Sequence, residues 1–251
     1  MENSNHFNVI VIGAGISGIG AGYYLKKNCP NKSFCIIEGR ENIGGTWDLF
    51  KYPGIRSDSD MFTLGYAFKP WKEQKTIANG SSILNYLEET VEENNLREKI
   101  KFSHKVLSTN WNSGSQKWEV RAAHHEQEIL LTANFLFMGT GYYNYDEGYT
   151  PDFNDLNKYE GILIHPQKWP EDYDYTDKKM VVIGSGATAA TIIPELSKKA
   201  KHVTMLQRSP TYYFPSPDED RFANFLKKIL PSKISYTCLL YTSDAADETG
   251  R

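Results

Sequence analysis

Cysteine is scarce in this 251-residue chain: Cys29, Cys35 and Cys238 are the only three. Three thiols without ligand spacing exclude a disulfide scaffold and a cysteine-held metal, and a reducing, cytoplasmic setting follows. A surplus of positive charge is also missing, since 28 Lys and Arg face 31 Asp and Glu for a net charge of −3. Nucleic-acid binders show a basic excess or a basic stripe, so no nucleic acid is expected as a partner. Long apolar runs are absent too. Val9–Leu25 has 17 residues without a charge, but five are glycine, and a spanning helix needs ~20 apolar residues. The preceding MENSNHFN carries no Lys or Arg, as an export signal would require. Stable membrane insertion is not expected. What the chain does have is 40% apolar and 13% aromatic residues, ample for one large domain or two ordinary ones.

Hydrophobic patterning places the elements. Asn8–Ile12 is a short β-branched run that reads as a buried parallel strand. Ile16–Lys27 reads as a helix and Ser33–Glu38 as a second strand, giving a βαβ unit. Residues 39–71 are loop-rich, with a short helix near Asp60–Phe68. Ser81–Asn95 is an amphipathic helix with Ile83, Leu84, Leu87 and Val91 on one face. Lys101–Trp111, Lys117–Ala123 and Glu128–Leu131 read as an antiparallel meander, and Ala133–Met138 as a separate buried strand. A second βαβ unit follows a Tyr-, Asp- and Pro-rich stretch: Met180–Ile183, a helix to about Lys199, and Val203–Leu206. Asp218–Leu230 is a last amphipathic helix.

Each βαβ unit carries a glycine fingerprint between strand and helix. In the first, Gly13-Ala-Gly15-Ile-Ser17-Gly18 has a glycine for the tight turn, one for approach to a pyrophosphate and one for helix–strand packing. The helix N-terminus offers unpaired N–H donors to that pyrophosphate. Glu38 ends the next strand, where a carboxylate binds ribose hydroxyls. The second copy, about 170 residues on, is Gly184-Ser185-Gly186-Ala187-Thr188-Ala189, and its strand runs into Arg208. A carboxylate repels a 2′-phosphate, whereas a guanidinium binds one bidentately. The first site therefore suits FAD and the second NADPH; a solvated strand-end arginine is the local alternative for Arg208. A disulfide reductase would place a redox cysteine pair soon after the first acid, and residues 39–237 hold no cysteine. Oxygen is then the expected electron acceptor.

Further motifs carry a family resemblance over roughly residues 8–237. They are Gly44-Gly45-Thr46-Trp47, Tyr52-Pro-Gly-Ile-Arg56-Ser57-Asp58-Ser-Asp60-Met-Phe-Thr-Leu-Gly-Tyr66 and Gly141-Tyr-Tyr-Asn-Tyr-Asp-Glu-Gly148. To these is added Tyr159-x-Gly161-x-x-x-His165-x-x-x-Trp169-Pro170. The sequence resembles the class B flavoprotein monooxygenases, and within them the Baeyer–Villiger branch of the ethionamide-activating type. Its Tyr159 stands where the family signature has Phe. The resemblance implies FAD contacts at Gly13, Gly15, Ser17, Gly18, Glu38, Gly44, Gly45, Trp47, Asp58 and Val106. It implies NADPH contacts at Gly184, Ser185, Gly186, Ala187, Thr188, Ala189 and Arg208, with Arg56, Ser57 and Asp58 near the nicotinamide. Asp58 would orient a catalytic arginine, or, read locally, cap the helix that follows. Gly161, His165 and Trp169 would couple domain movement to NADPH binding; His165 reads equally well as a turn residue. His124 and His125 read as solvated turn residues.

The implied chemistry is reduction of FAD by NADPH, capture of O₂ as a C4a-peroxyflavin, and oxygen insertion into a ketone or transfer to a sulfide. An N- or S-oxygenating flavin monooxygenase and a non-catalytic dinucleotide-binding module are the alternatives. The expected organisation is an FAD-binding domain over 1–150, a linker over 151–178 and an NADPH-binding domain over 179–237. The fold class is α/β: two Rossmann-like units, an antiparallel meander in the first, and both domains incomplete. The family's catalytic arginine lies in a segment this chain does not contain, so an inactive portion of an enzyme is expected. Residues 238–251 resemble the translation of a sequencing-library transposase adapter and are expected to be a non-native tail.

Overall fold

The computed structural model describes residues 5–125, 127–213 and 217–249. The expected tail therefore has its last two residues outside the described ones. The chain forms two compact units, Met1–Leu49 with Ile83–Gly148, and Phe50–Ser82 with Tyr149–Arg251. Residues 50–82, read with the first nucleotide-binding unit, cluster with the second.

The first unit is built from β1 (His6–Ile12), α1 (Ile16–Asn28), β2 (Phe34–Ile37) and the one-turn α2 (Thr46–Leu49). After α3 (Met61–Leu64), which belongs to the other unit, come α4 (Gly80–Glu93), β3 (Ile100–Lys101) and β4 (His104–Asn112). Strands β5 (Lys117–His124) and β6 (Gln127–Met138) complete a six-stranded sheet of order β3-β2-β1-β6-β5-β4. Neighbours from β3 to β6 run parallel, and β4, β5 and β6 form an antiparallel meander. β-Branched residues make β1 and β2 because such side chains pack well on a pleated surface buried on both faces. Ile10, Ile12, Cys35, Ile37, Val120, Leu131 and Ala133 form one core cluster on this sheet. Helix α4 buries Ile83, Leu87 and Val91, the apolar face expected from its periodicity.

One expectation is corrected. The two strands read at Glu128–Leu131 and Ala133–Met138 are a single 12-residue strand, β6. Thr132 does not interrupt it, because that residue pairs with Glu119 of β5 and His6 of β1 together. Its end is not buried either: Phe135 is 70% exposed, and Phe137 and Met138 are also open. Phe135 and Phe137 are the register partners of Val9 and Val11. On that side α1 packs Gly18 toward Val11 and Gly22 toward Ile36, and the Phe135–Met138 end of β6 keeps its apolar side chains exposed at 135, 137 and 138.

The second unit contains β7 (Lys179–Ile183), α5 (Ala187–Leu196) and β8 (His202–Leu206). The two strands pair in parallel as a two-stranded sheet. Helix α5 ends at Leu196, three residues before the expected limit, and holds Pro194 in its last turn. Its buried residues are Ala189, Thr191, Ile192 and Leu196. Helix α6 (Arg221–Ile229) starts later than expected, where the Asp220 carboxylate accepts a 2.9 Å hydrogen bond from Ala223 N–H. Helix α7 (Ser232–Thr249) passes through position 237 without a break, and its Leu239 is buried with Phe62 and Ala223. No helix among the described residues is long and apolar enough to cross a membrane.

Candidate functional site

The first glycine loop turns sharply because its backbone takes a path closed to other residues. Gly13 has φ +97°, and a Cβ there would lie 2.5 Å from the Gly139 carbonyl oxygen. Gly15 caps α1 without a side-chain hydrogen bond. Helix α1 therefore begins without a side-chain cap from Gly15, and a helix N-terminus favours an anion beside it. Beside the loop is a cavity of about 400 Å³. Gly13, Gly15 and Ser17 from the loop, Glu38 after β2, Gly44, Gly45 and Trp47 around α2, and Val106 of β4 all line it. Eight expected FAD-side residues thus meet around one space. The ninth in this unit, Gly18, packs beneath the loop.

Glu38 is 5% exposed. Its Oε2 accepts a 2.8 Å bond from Ala14 N–H and its Oε1 a 3.0 Å bond from Arg40 N–H. The carboxylate therefore ties the glycine loop to the end of β2 and retains further acceptor lone pairs. Arg40 was missed by sequence reasoning. Its guanidinium pairs with the buried Asp48, donates to Gly45 O at 3.2 Å and stands 5.8 Å from the Tyr145 ring centroid. A residue pair flanking a double glycine was the available signal. Lys105, Tyr145 and Asp146 also line the cavity; Tyr145 and Asp146 fall in the Gly141–Gly148 motif, whereas Lys105 had no signal of its own.

His104 lines the same cavity and stacks on His124 with ring centroids 4.1 Å apart. Burial holds its pKa below the usual value, and the neighbouring His124 and Lys101 add to that. The expectation of a freely solvated His124 is thereby corrected. Its Nδ1 also lies 3.1 Å from Ser103 O, and the β4–β5 register sets His124 opposite His104.

The second glycine loop lies in the other unit. Gly184 has φ +119°, and a Cβ on Gly184 or Gly186 would meet nothing within 4 Å. Ser185 is held from one side: its Oγ lies 2.7 Å from Thr211 Oγ1, and its carbonyl accepts from Tyr213 O–H at 2.8 Å. Ala187, Thr188 and Ala189 begin α5, with Ala189 buried. Arg208 follows β8 and is exposed. Burial pushes the Tyr52 phenol above its usual pKa, opposed by its hydrogen bond with Thr188 and reinforced by the charge of Asp58. Gly54, with φ +78°, lies so close to α5 that a Cβ would sit 2.2 Å from Glu195 Cγ. The Tyr52-Pro53-Gly54 turn is therefore a seat for α5.

Ser57 is buried, donating its N–H to Ala78 O at 2.8 Å and accepting from Ala78 N–H at its Oγ. Arg56 and Asp58 are exposed on either side of it. The cap of α3 is Asp60, whose Oδ1 accepts from Phe62 N–H at 2.8 Å and Thr63 N–H at 3.0 Å. Asp58 is thus not the helix cap. His165, within the second unit, accepts at Nδ1 from Gln167 N–H at 3.2 Å, a local turn bond. Trp169 has Tyr173 and Tyr175 at 6.1 and 6.3 Å, and a Cβ on Gly161 would strike the Tyr159 ring.

A profile of the family described as pyridine nucleotide-disulphide oxidoreductase matches residues 10–221. The chain is 51% identical over 237 residues to the FAD-containing monooxygenase EthA of Mycobacterium tuberculosis, covering 94% of this chain and 48% of that protein. It is 52% identical over 234 residues to the probable FAD-binding monooxygenase AlmA of Acinetobacter baylyi, with coverages of 92% and 47%. A solved oxidized steroid monooxygenase bound to NADP superposes with a TM-score of 0.76 at 28% identity, over 89% of this chain and 42% of that one. An ε-caprolactone-bound cyclohexanone monooxygenase gives 0.79 at 26% identity, over 92% and 45%. The chain spans about half the length of the curated relatives it matches.

Proposed function

The chain belongs to the pyridine nucleotide-disulphide oxidoreductase family, and on that premise we propose that it carries both dinucleotide sites of an FAD- and NADPH-dependent Baeyer–Villiger-type monooxygenase. Its substrates are ketones or sulfides together with O₂. The observation that carries the reading is the opposite charge at two equivalent places: buried Glu38 after β2, and exposed Arg208 after β8. The disulphide half of the family description has no counterpart between 39 and 237, where cysteine is absent. Monooxygenase relatives and the missing dithiol point the same way.

In this reading the first-turn N–H groups of α1 hold the FAD pyrophosphate, and Glu38 accepts from its ribose hydroxyls. Gly15 and Gly45 allow backbone to approach closely. Arg208 pairs with the 2′-phosphate of NADPH. FAD, when bound, supplies the hydride acceptor and the oxygen-activating ring. Exposed Asp58 orients a cation contributed from elsewhere in the protein, and a cation there stabilises developing oxyanion charge. The test is flavin content of the purified chain, followed in the full-length protein by NADPH-dependent O₂ uptake with a ketone. One FAD per chain and ester formation support the reading. Absence of flavin, or equal use of NADH and NADPH, overturns it.

A further inference from the structure

The Gly141–Gly148 segment has no part in the nucleotide reading, yet Gly141, Tyr145 and Asp146 line the first cavity. Its shape is set locally, since Asn144 Oδ1 accepts a 3.0 Å bond from Asp146 N–H. This Asx turn presents Tyr145 and Asp146 in different directions. Tyr145 reaches the double-glycine turn: it hydrogen-bonds Thr46, and its hydroxyl would lie 3.2 Å from a Cβ on Gly45. The Arg40 guanidinium faces its ring. Asp146 reaches β4 instead, where both carboxylate oxygens accept from Lys105 Nζ at 2.8 Å. Lys105 in turn packs beside Gly39, one residue past Glu38. The segment is therefore fastened to two different elements of the cavity rim.

We propose that Gly141–Gly148 is a strap that retains FAD in this cavity, latched by Tyr145 on the double-glycine turn and by Asp146 on Lys105. The inference rests on the FAD reading of the cavity. The two latches differ physically. The Lys105–Asp146 pair is well exposed on both sides, so it is weak and screened by salt. Tyr145 is half-buried, and burial pushes its phenol above the usual pKa, so it stays neutral and its contact is not weakened by salt. A strap with one weak latch opens without unfolding the site. FAD leaves through that opening.

The test is the FAD release rate from the 251-residue chain, read as recovery of free-flavin fluorescence after dilution. Asp146→Asn should speed release about 2- to 5-fold at low salt, the worth of one exposed pair. The swapped double variant Lys105→Asp with Asp146→Lys should return the rate to the wild-type value. In about 1 M salt the wild type should approach Asp146→Asn, which itself should not respond. Tyr145→Phe should speed release at every salt concentration. Wild-type release from Asp146→Asn at low salt overturns the proposal. So does a swapped variant that melts like the wild type but releases FAD as fast as Asp146→Asn. A wild-type chain that takes up no FAD at all overturns the underlying reading of the cavity instead.

Discussion

Gly18 stands directly beneath Gly13: a Cβ on Gly18 would lie 1.8 Å from the Gly13 carbonyl oxygen. Backbone cannot step aside there without moving α1 off β1. Gly15 is different, since its Cβ would meet Gly45 Cα at an ordinary 3.6 Å. Gly18→Ala should therefore lower stability by about 1–3 kcal/mol or more and abolish FAD binding. Gly15→Ala should melt like the wild type and still lose FAD, because its methyl fills the pyrophosphate approach. Thermal melting beside FAD titration separates the two. Equal melting of both variants would remove the packing role assigned to Gly18.

Glu38 uses one oxygen on Ala14 N–H and the other on Arg40 N–H. An amide has one acceptor oxygen, so Glu38→Gln must set its NH₂ against one of those donors. A stability loss of about 1–3 kcal/mol is expected from the unsatisfied group. Glu38→Arg should leave the purified chain without flavin. Normal flavin absorbance in that variant would refute the ribose assignment.

Arg208 is exposed after β8, and of the two coenzymes only NADPH carries a 2′-phosphate. Arg208→Ala in the full-length protein should weaken NADPH by about 10- to 150-fold, the value of one charge-assisted contact. NADH affinity should hardly change. Equal losses for the two coenzymes would mean that Arg208 does not read the 2′-phosphate.

The three thiols should react unequally. Burial raises the Cys35 pKa from 9.0 to about 12, partly offset by Lys101, while Cys29 and Cys238 are exposed. The thiolate is the reactive form, so an aromatic disulfide reagent at pH 8 should titrate two thiols quickly and the third only on unfolding. The same shift fixes a sign. Between pH 9.0 and about 12 the unfolded chain ionises Cys35 and the folded chain does not. Stability from this group is fully present below 9.0 and falls as pH rises through that window. A third fast thiol in the folded chain would contradict the buried position.

Much of the first cavity was legible because its residues come from short, self-contained signals. Glycine spacing after a strand named Gly13, Gly15 and Gly18, and the end of the following strand named Glu38. Family motifs supplied Gly44, Gly45, Trp47 and Val106. The contacts of Arg40 with Asp48, of Tyr145 with the double-glycine turn and of Lys105 with Asp146 were not legible, because each joins segments that no periodicity relates. The His104–His124 stack depends on the β4–β5 register, which includes an irregularity between Val106 and Ser108. Strand β6 was divided in the reading because polar Thr132 resembles a break between two apolar runs. A strand that changes partner direction along its length leaves no mark in composition.

That shared strand also sets an order of assembly. Strand β6 meets β5 across a tight hairpin, but its contact with β1 joins residues 126 positions apart. Closing a long loop costs more entropy than closing a hairpin and delays the contacts that depend on it. Pulse-labelled hydrogen exchange should accordingly find meander amides protected before those of β1. Strand β1 leaves the ribosome before β6 and is then among the last to be enclosed. Gly139, which donates to Ile12 O and backs the turn at Gly13, arrives only with that late partner. The glycine loop at Gly13 lacks its backing by Gly139 until residue 139 has been made.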